Sequence, residues 1–117
     1  MNLKKIVAAQ RQFVRERRWE KFHSPKNIVM ALSGEVGELI ELFQWLTEKK
    51  SKRLKGSAKG QVENEIADIF YYLLRLCDLL EIDLEKAFWE KLDISRKKYP
   101  VELARGSARK YTELKSS

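Results

Sequence analysis

The sequence predicts an all-α protein, and three features of its composition support this class. Leucine dominates the apolar residues, with 15 leucines against 6 valines, 7 isoleucines and 2 threonines, and leucine favours helix whereas β-branched residues favour strand. Only 5 glycines and 2 prolines interrupt the chain, which suits long helices. A length of 117 residues fits one domain spanning 1–117. We therefore expect a four-helix bundle.

The first two helices are predicted from their capping residues and their apolar spacing. Helix one is expected over residues 3–19, with Asn2 as its N-cap. Ser24 followed by Pro25 predicts the start of helix two, because proline is favoured at the first helical position. This helix is expected to continue to about residue 48.

The second half of the chain predicts two more helices. A basic segment with glycines and serines, about residues 49–60, is expected to be a flexible connection. Helix three is predicted over residues 61–80. Helix four is expected to begin at Asp83 as N-cap and to end before Pro100. The tail, about residues 101–117, shows no clear helical period.

The net charge of +7 is unevenly distributed along the chain. Residues 1–26 contain eight Lys and Arg, residues 48–60 contain six, and residues 96–117 contain seven. By contrast, residues 28–47 and 61–74 contain carboxylates and no basic residue. Two acidic helices are thus flanked by basic segments. This distribution favours a site that binds metal cations and phosphate over a uniformly basic surface that binds nucleic acid.

Several function classes are excluded by what the chain lacks. Cys77 is the single cysteine and His23 the single histidine, so we expect no disulfide within the chain and no Cys-rich or His-rich metal site. No apolar stretch approaches the roughly 20 residues of a membrane span, and the first residues lack the apolar core of a signal peptide. We expect a cytoplasmic protein without a membrane partner.

Two pairs of carboxylates stand where core residues are expected. At about 100° per residue, Glu35 falls inside the apolar arc of helix two and Glu38 lies at its margin. Glu65 and Asp68 repeat this arrangement on helix three. Because buried carboxylates are costly without a compensating cation, we predict a metal site. Oxygen ligands alone favour Mg²⁺, with Mn²⁺ as a substitute.

The spacing Glu35-x-x-Glu38 followed by Glu65-x-x-Asp68 resembles the magnesium motif of the MazG-like all-α nucleoside triphosphate pyrophosphohydrolases. Four strings narrow the resemblance to the members that hydrolyse dCTP, and the similarity covers nearly the whole chain. The strings are WEKFHSPKN at residues 19–27, GEVGEL at 34–39, LFQW at 42–45 and RGSARKYTEL at 105–114.

The resemblance implies an activity and a set of ligands. It implies hydrolysis of a deoxynucleoside triphosphate, most often dCTP or 5-modified dCTP, to the monophosphate and pyrophosphate, which would cleanse the nucleotide pool. It implies that the four carboxylates bind magnesium and that the chain forms a homo-oligomer, a tetramer whose pocket is shared between chains. It further implies an aromatic base pocket, with a neighbouring asparagine, formed by Trp19, Phe22, His23, Asn27, Trp45 and Tyr72.

Helix four and helix one carry further candidate substrate ligands, and two of them depart from the family pattern. Lys91, Ser95 and Lys98 form one polar stripe that suits a triphosphate, but Ser95 stands where the family usually has asparagine. Gln10 stands where the dCTP-hydrolysing members commonly place a histidine. A broader or different base preference is therefore an alternative.

The expected mechanism is metal-assisted attack of water on the triphosphate. Glu38 is the predicted general base, because a carboxylate at the arc margin would meet both metal and bulk water. The sequence does not fix which phosphorus is attacked.

Helix three is apolar over about 240°, which predicts a subunit interface. The remaining alternative, a non-enzymatic basic protein that binds nucleic acid, predicts salt-sensitive affinity without magnesium dependence; we do not expect such a partner.

Overall fold

A computed structural model describes residues 1–106, and all of their regular structure is helical. This confirms the predicted all-α class. Residues 107–117, with most of the RGSARKYTEL string and of the predicted tail, lie outside the described residues. The elements are α1 (Leu3–Glu16), a 3-10 turn (Glu20–Phe22), α2 (Pro25–Phe43), α3 (Glu48–Ser51), α4 (Gly56–Leu79), α5 (Leu84–Lys98) and α6 (Val101–Ala104).

Three helices begin at the predicted capping residues. The side chains of Asn2, Ser24 and Asp83 each accept a hydrogen bond of 3.1 Å from the backbone N–H three residues later. Each cap satisfies one of the donors that the first turn of a helix leaves free. Pro25 occupies the first helical turn of α2, as predicted. These local signals therefore fix the starts of α1, α2 and α5.

The ends of α1 and α2 come earlier than predicted. Beyond α1, Arg18 adopts a left-handed backbone with φ 54, which a helix cannot continue, and the chain then makes the short turn Glu20–Phe22. Helix α2 ends at Phe43, and Thr47 restarts helical structure by accepting a hydrogen bond of 3.1 Å from the backbone N–H of Lys50. Helix two therefore ends about five residues before its predicted end, and most of α3 lies in the segment that was expected to be a flexible connection.

Helix α4 begins five residues before the predicted start of helix three. Gly56, its first residue, has φ 58, a conformation that glycine adopts without steric cost. Of the segment 49–60, only residues 52–55 lie outside helices. In the tail, Pro100 precedes the short helix α6.

The chain divides into two units, residues 1–82 and the residues from Asp83 onward. Within the first unit, α2 packs along α4, and α1 packs against α4 more briefly. The second unit contains α5 and α6. The expectation of one domain stays a prediction. No helix within residues 1–106 is both long and apolar enough to cross a membrane.

The core of the described chain is small, and much apolar surface stays exposed. Four apolar side chains are buried, namely Val14, Ile28, Leu74 and Cys77. On α2, Met30 is 63% and Ile40 56% exposed, and on α4 Ile66 is 52% exposed. Large exposed apolar side chains on two packed helices make this surface a candidate for an interface.

The cap of α5 gives a test of this description. Replacing Asp83 with Ala removes the acceptor for the Lys86 N–H and is expected to lower the free energy of unfolding by about 1 kcal/mol. Urea denaturation followed by circular dichroism measures this change. The matched control is Asp93→Ala, since Asp93 forms only an exposed ion pair of 3.5 Å with Lys97. Equal stability of Asp83→Ala and Asp93→Ala would contradict the assigned cap.

Candidate active site

The packing of α2 along α4 brings predicted metal ligands together. One carboxylate oxygen from each of Glu35, Glu38 and Glu65 can be chosen so that all three lie within 4.8 Å of one another. Asp68 is not in this set of three, but its negative charge acts on Glu35 and Glu65. The two carboxylate pairs seen in the sequence are therefore neighbours in space, because each places its acids one turn apart on facing helices.

Crowding of like charges changes the protonation of Glu35. Hydrogen bonding to Glu38 and then to Glu65, followed by burial and the charges of Glu38 and Asp68, raises the pKa of Glu35 from 4.5 to about 7. Two carboxylates in contact cannot both ionise easily. Glu35 is therefore partly protonated near neutral pH in the metal-free protein.

The proton on Glu35 also affects its partner across the helix interface. The hydrogen bond from Glu35 lowers the pKa of Glu65, but burial and the nearby Glu38 and Asp68 outweigh it, so the pKa is raised overall. Both central carboxylates thus resist ionisation. A bound cation would reverse this effect by compensating their charge.

The donor set fits a divalent cation. Oε2 of Glu35 and Oε2 of Glu65 are buried and have no hydrogen-bond partner among the described residues, a costly arrangement for a carboxylate oxygen. Glu38 is exposed, whereas Glu35 and Glu65 are partly buried. All candidate ligands offer oxygen, which Mg²⁺ and Mn²⁺ prefer. These carboxylates would hold such an ion.

An open groove of ≈ 590 Å³ adjoins the carboxylates. Its walls come from α2 and from the first three turns of α4, and apart from Leu42 they offer small or polar side chains. The lining residues are Leu42, Ser57, Gly60, Gln61, Asn64 and Glu65. A polar ligand that contacts Glu65 therefore has room along this face of α4.

An aromatic cluster extends from α4 to the turn after α1. Tyr72, one turn beyond Asp68, contacts Tyr71 edge-on with ring centres 5.2 Å apart. Tyr71 contacts Phe13 at 6.4 Å, and Phe13 contacts Trp19 at 5.6 Å, both edge-on. Of the predicted base-pocket residues, Trp19 and Tyr72 thus belong to one chain of ring contacts. Phe13 and Tyr71 were not predicted from the sequence.

Other predicted ligands lie elsewhere or already have partners. Trp45 follows α2 and is 88% exposed, and Phe22 is 58% exposed. The Asn27 side chain donates to the Phe22 carbonyl across 3.1 Å. Gln10 is buried and donates to the Tyr71 carbonyl across 2.7 Å, while its Oε1 has no partner among the described residues. Substrate contacts by these side chains stay predictions.

The predicted phosphate ligands of helix four lie on α5. Lys91 is exposed and Ser95 is partly buried. Lys98 is the last residue of the helix. These residues belong to the second unit, and their contact with a triphosphate stays a prediction.

Sequence reasoning missed a buried charge network beside His23. Arg75 is 6% exposed and donates from Nε to Nδ1 of His23 across 3.0 Å. Asp78 binds both Arg75 and Arg11. One sequence signal could have revealed it: Arg75 is the single basic residue in the apolar run 69–77, where an unpaired buried cation would be costly. Its partner is 52 positions away and no sequence period reveals it.

Comparisons with known proteins cover both helices that carry the carboxylates. The profile of the MazG-like family matches residues 30–114. The chain is 44% identical over 114 residues to dCTP pyrophosphatase 1 of Homo sapiens, which covers 96% of this chain and 67% of the relative. The Mus musculus protein of that name is 43% identical with the same coverage. A crystal structure of a pyrophosphatase from Archaeoglobus fulgidus matches with a TM-score of 0.78 and 40% identity, covering 83% of this chain and 91% of that chain.

The raised pKa of Glu35 predicts a pH-dependent stability difference. The folded protein holds the Glu35 proton more tightly than the unfolded chain, so this residue lowers stability increasingly as pH rises from about 4.5 to about 7. In EDTA, the Tm of Glu35→Gln minus the Tm of the wild type should therefore increase as pH rises from about 4.5 to about 7. His23 is present in both proteins, and any change in the titration of Glu65, which is coupled to Glu35, forms part of the expected difference.

The matched control for this experiment is Glu41→Gln, which changes an exposed glutamate on the same helix. Its Tm should follow that of the wild type at every pH. A Tm difference between Glu35→Gln and wild type that does not change between pH 4.5 and 7 would contradict the raised pKa.

Proposed function

Because the chain belongs to the MazG-like family, we propose that this nucleoside triphosphate pyrophosphohydrolase cleaves dCTP, or dCTP modified at position 5, to the monophosphate and pyrophosphate. The observation that carries the proposal is the meeting of Glu35, Glu38 and Glu65 from two helices, with two buried oxygens that lack partners. The 44% sequence identity to dCTP pyrophosphatase 1 of Homo sapiens over 96% of this chain supports cytosine as the base. Removal of unwanted cytosine nucleotides from the pool is the corresponding role.

The proposed cofactor is Mg²⁺, with Mn²⁺ as a substitute, held by Glu35, Glu38, Glu65 and Asp68. When bound, a divalent cation supplies neutralisation of phosphate charge and lowers the pKa of coordinated water. The carboxylates would hold this cation between α2 and α4, and its positive charge would attract the triphosphate to that place. The aromatic cluster supplies flat apolar surfaces, on which a base can stack, with Trp19 and Tyr72 as the proposed contacts.

Glu38 is the proposed general base. It stands at the exposed edge of the cluster, where it can take a proton from the attacking water and release it to solvent. Glu35 is a poorer candidate, because it is partly buried and its Oε2 is shielded from solvent. This division of roles follows from the difference in exposure between the two acids on α2.

Replacing Glu38 with Gln tests this role. The variant keeps the size of the side chain and one oxygen but cannot accept the proton, so we expect kcat to fall by at least about 100-fold. Binding of dCTP, measured by titration with Mg²⁺ present, should be largely retained. Glu41→Gln is the control and should keep full turnover. An active Glu38→Gln enzyme would show that another group serves as the base.

The base preference is tested by pyrophosphate release from the four common dNTPs and 5-methyl-dCTP, with Mg²⁺ and with EDTA. We expect selective release from the cytosine nucleotides, and only with Mg²⁺. Gln10 supports the alternative, a broader base preference. The dCTP-hydrolysing members of the family commonly have a histidine at this position, whereas the amide of Gln10 binds the backbone of α4. Equal rates for all bases would favour that alternative. Release in EDTA would contradict the proposed cofactor.

We also propose that the chain assembles into a homotetramer through the exposed apolar faces of α2 and α4. Met30, Ile40 and Ile66 are each more than half exposed, and burial against another chain would stabilise them. Light scattering at micromolar concentration should give four times the mass of one chain. A monomer would contradict the proposed assembly. The cytoplasmic location and the absence of nucleic-acid and membrane partners stay predictions.

A further inference from the structure

His23 is held by a buried guanidinium. Nε of Arg75 donates to Nδ1 of His23 across 3.0 Å. Arginine has only donors and keeps its proton in proteins, so Nδ1 must act as the acceptor. In the neutral ring the proton then lies on Nε2. Burial and then the charge of Arg75 lower the pKa of His23, against the opposite effect of Glu20, which favours the neutral ring.

The guanidinium of Arg75 is itself held in place. Its Nη1 lies 3.4 Å from Oδ2 of Asp78, and both side chains are nearly buried. Arg11 on α1 donates from Nε to the same oxygen across 2.8 Å and from Nη2 to Oδ1. Bidentate pairs of this kind have well-defined geometry. The network therefore joins α1, α4 and the residue after the 3-10 turn.

This network lies beside the aromatic cluster. The ring of His23 is 6.5 Å from that of Trp19, which contacts Phe13. Arg75 follows Asp68 by seven residues, or about 10 Å along α4, and two turns place both on one face of the helix. Within residues 1–106, hydrogen bonds of the His23 ring involve Nδ1 alone, which leaves the Nε2 proton for a ligand.

We propose that Arg75 is a positioning residue for base recognition: by donating to Nδ1 it keeps the His23 proton on Nε2, so that His23 presents a hydrogen-bond donor to a carbonyl oxygen of the base. This inference rests on the proposed function, because it takes the ring cluster as the base site. Asp78 and Arg11 hold Arg75 in the required orientation. Among the common bases, this donor fits those that carry a carbonyl oxygen, which are cytosine, thymine and guanine, and it disfavours adenine, which has none.

The tautomer can be read directly, because His23 is the single histidine of the chain. A long-range ¹H–¹⁵N correlation spectrum of the ¹⁵N-labelled protein distinguishes a protonated from an unprotonated ring nitrogen. We expect an unprotonated Nδ1 and a protonated Nε2 in the wild-type protein at neutral pH. A protonated Nδ1 would overturn the proposal.

Variants then test the role of Arg75 in binding. Arg75→Met and Arg75→Leu each remove the donor while Asp78 keeps its pair with Arg11. Both should lose the single tautomer and raise the KM for dCTP about five- to tenfold, with kcat nearly unchanged. Arg15→Met is the matched control: it changes an exposed arginine of α1 outside this network, so spectrum and KM should stay as in wild type.

The possible outcomes separate this inference from the proposed function. If the wild-type protein releases no pyrophosphate from any dNTP, the proposed function fails, whatever the spectrum shows. If the wild type is active but both Arg75 variants keep its spectrum or its KM, the inference fails while the function stands. An effect of Arg15→Met equal to that of Arg75→Met would also overturn it, because loss of an arginine outside the network would then be enough. Should Arg75→Met not fold, Arg75→Leu decides.

Discussion

Repulsion among the carboxylates between α2 and α4 is the constraint on which the rest of the structure depends. The packing of α2 along α4 brings Glu35 against Glu65, and residues 28–43 of α2 and 61–74 of α4 contain no basic side chain. A proton on Glu35 relieves part of the repulsion near neutral pH. A divalent ion would relieve more of it, because it can satisfy the two buried oxygens as well. Stability and cofactor binding are therefore linked at one place.

The placement of positive charge around this interface follows the same logic. Basic residues are concentrated in segments outside the acidic stretches of α2 and α4, so they can attract a polyanion without neutralising the metal ligands. The buried exception is Arg75, and it is matched by Asp78. Its Nε donates to His23 rather than to the carboxylate cluster. The positive charge of Arg75 therefore favours a neutral imidazole at His23.

Local and periodic features were the ones that the sequence predicted well. The caps at Asn2, Ser24 and Asp83 depend on residues three positions apart, and the carboxylate pairs depend on helical period, so both were visible without a structure. The early end of α1 was missed because Arg18 takes a left-handed backbone that its residue type does not favour. The Arg75–His23 contact was missed because it is purely tertiary. The role of Gln10 as a ligand stays a prediction, and its Nε2 donates to the Tyr71 carbonyl on α4, a tertiary contact that the sequence did not reveal.

Binding of Mn²⁺ followed by electron paramagnetic resonance tests the central claim, a divalent-cation site made by the four carboxylates. We expect the wild-type protein to bind Mn²⁺ at neutral pH with release of protons, and Glu65→Gln to weaken binding by about tenfold or more. Glu63→Gln, which changes an exposed glutamate on the same helix, should bind as wild type does. Absence of Mn²⁺ binding, or equal binding by the Glu63 and Glu65 variants, would contradict the assignment of these residues as the metal site.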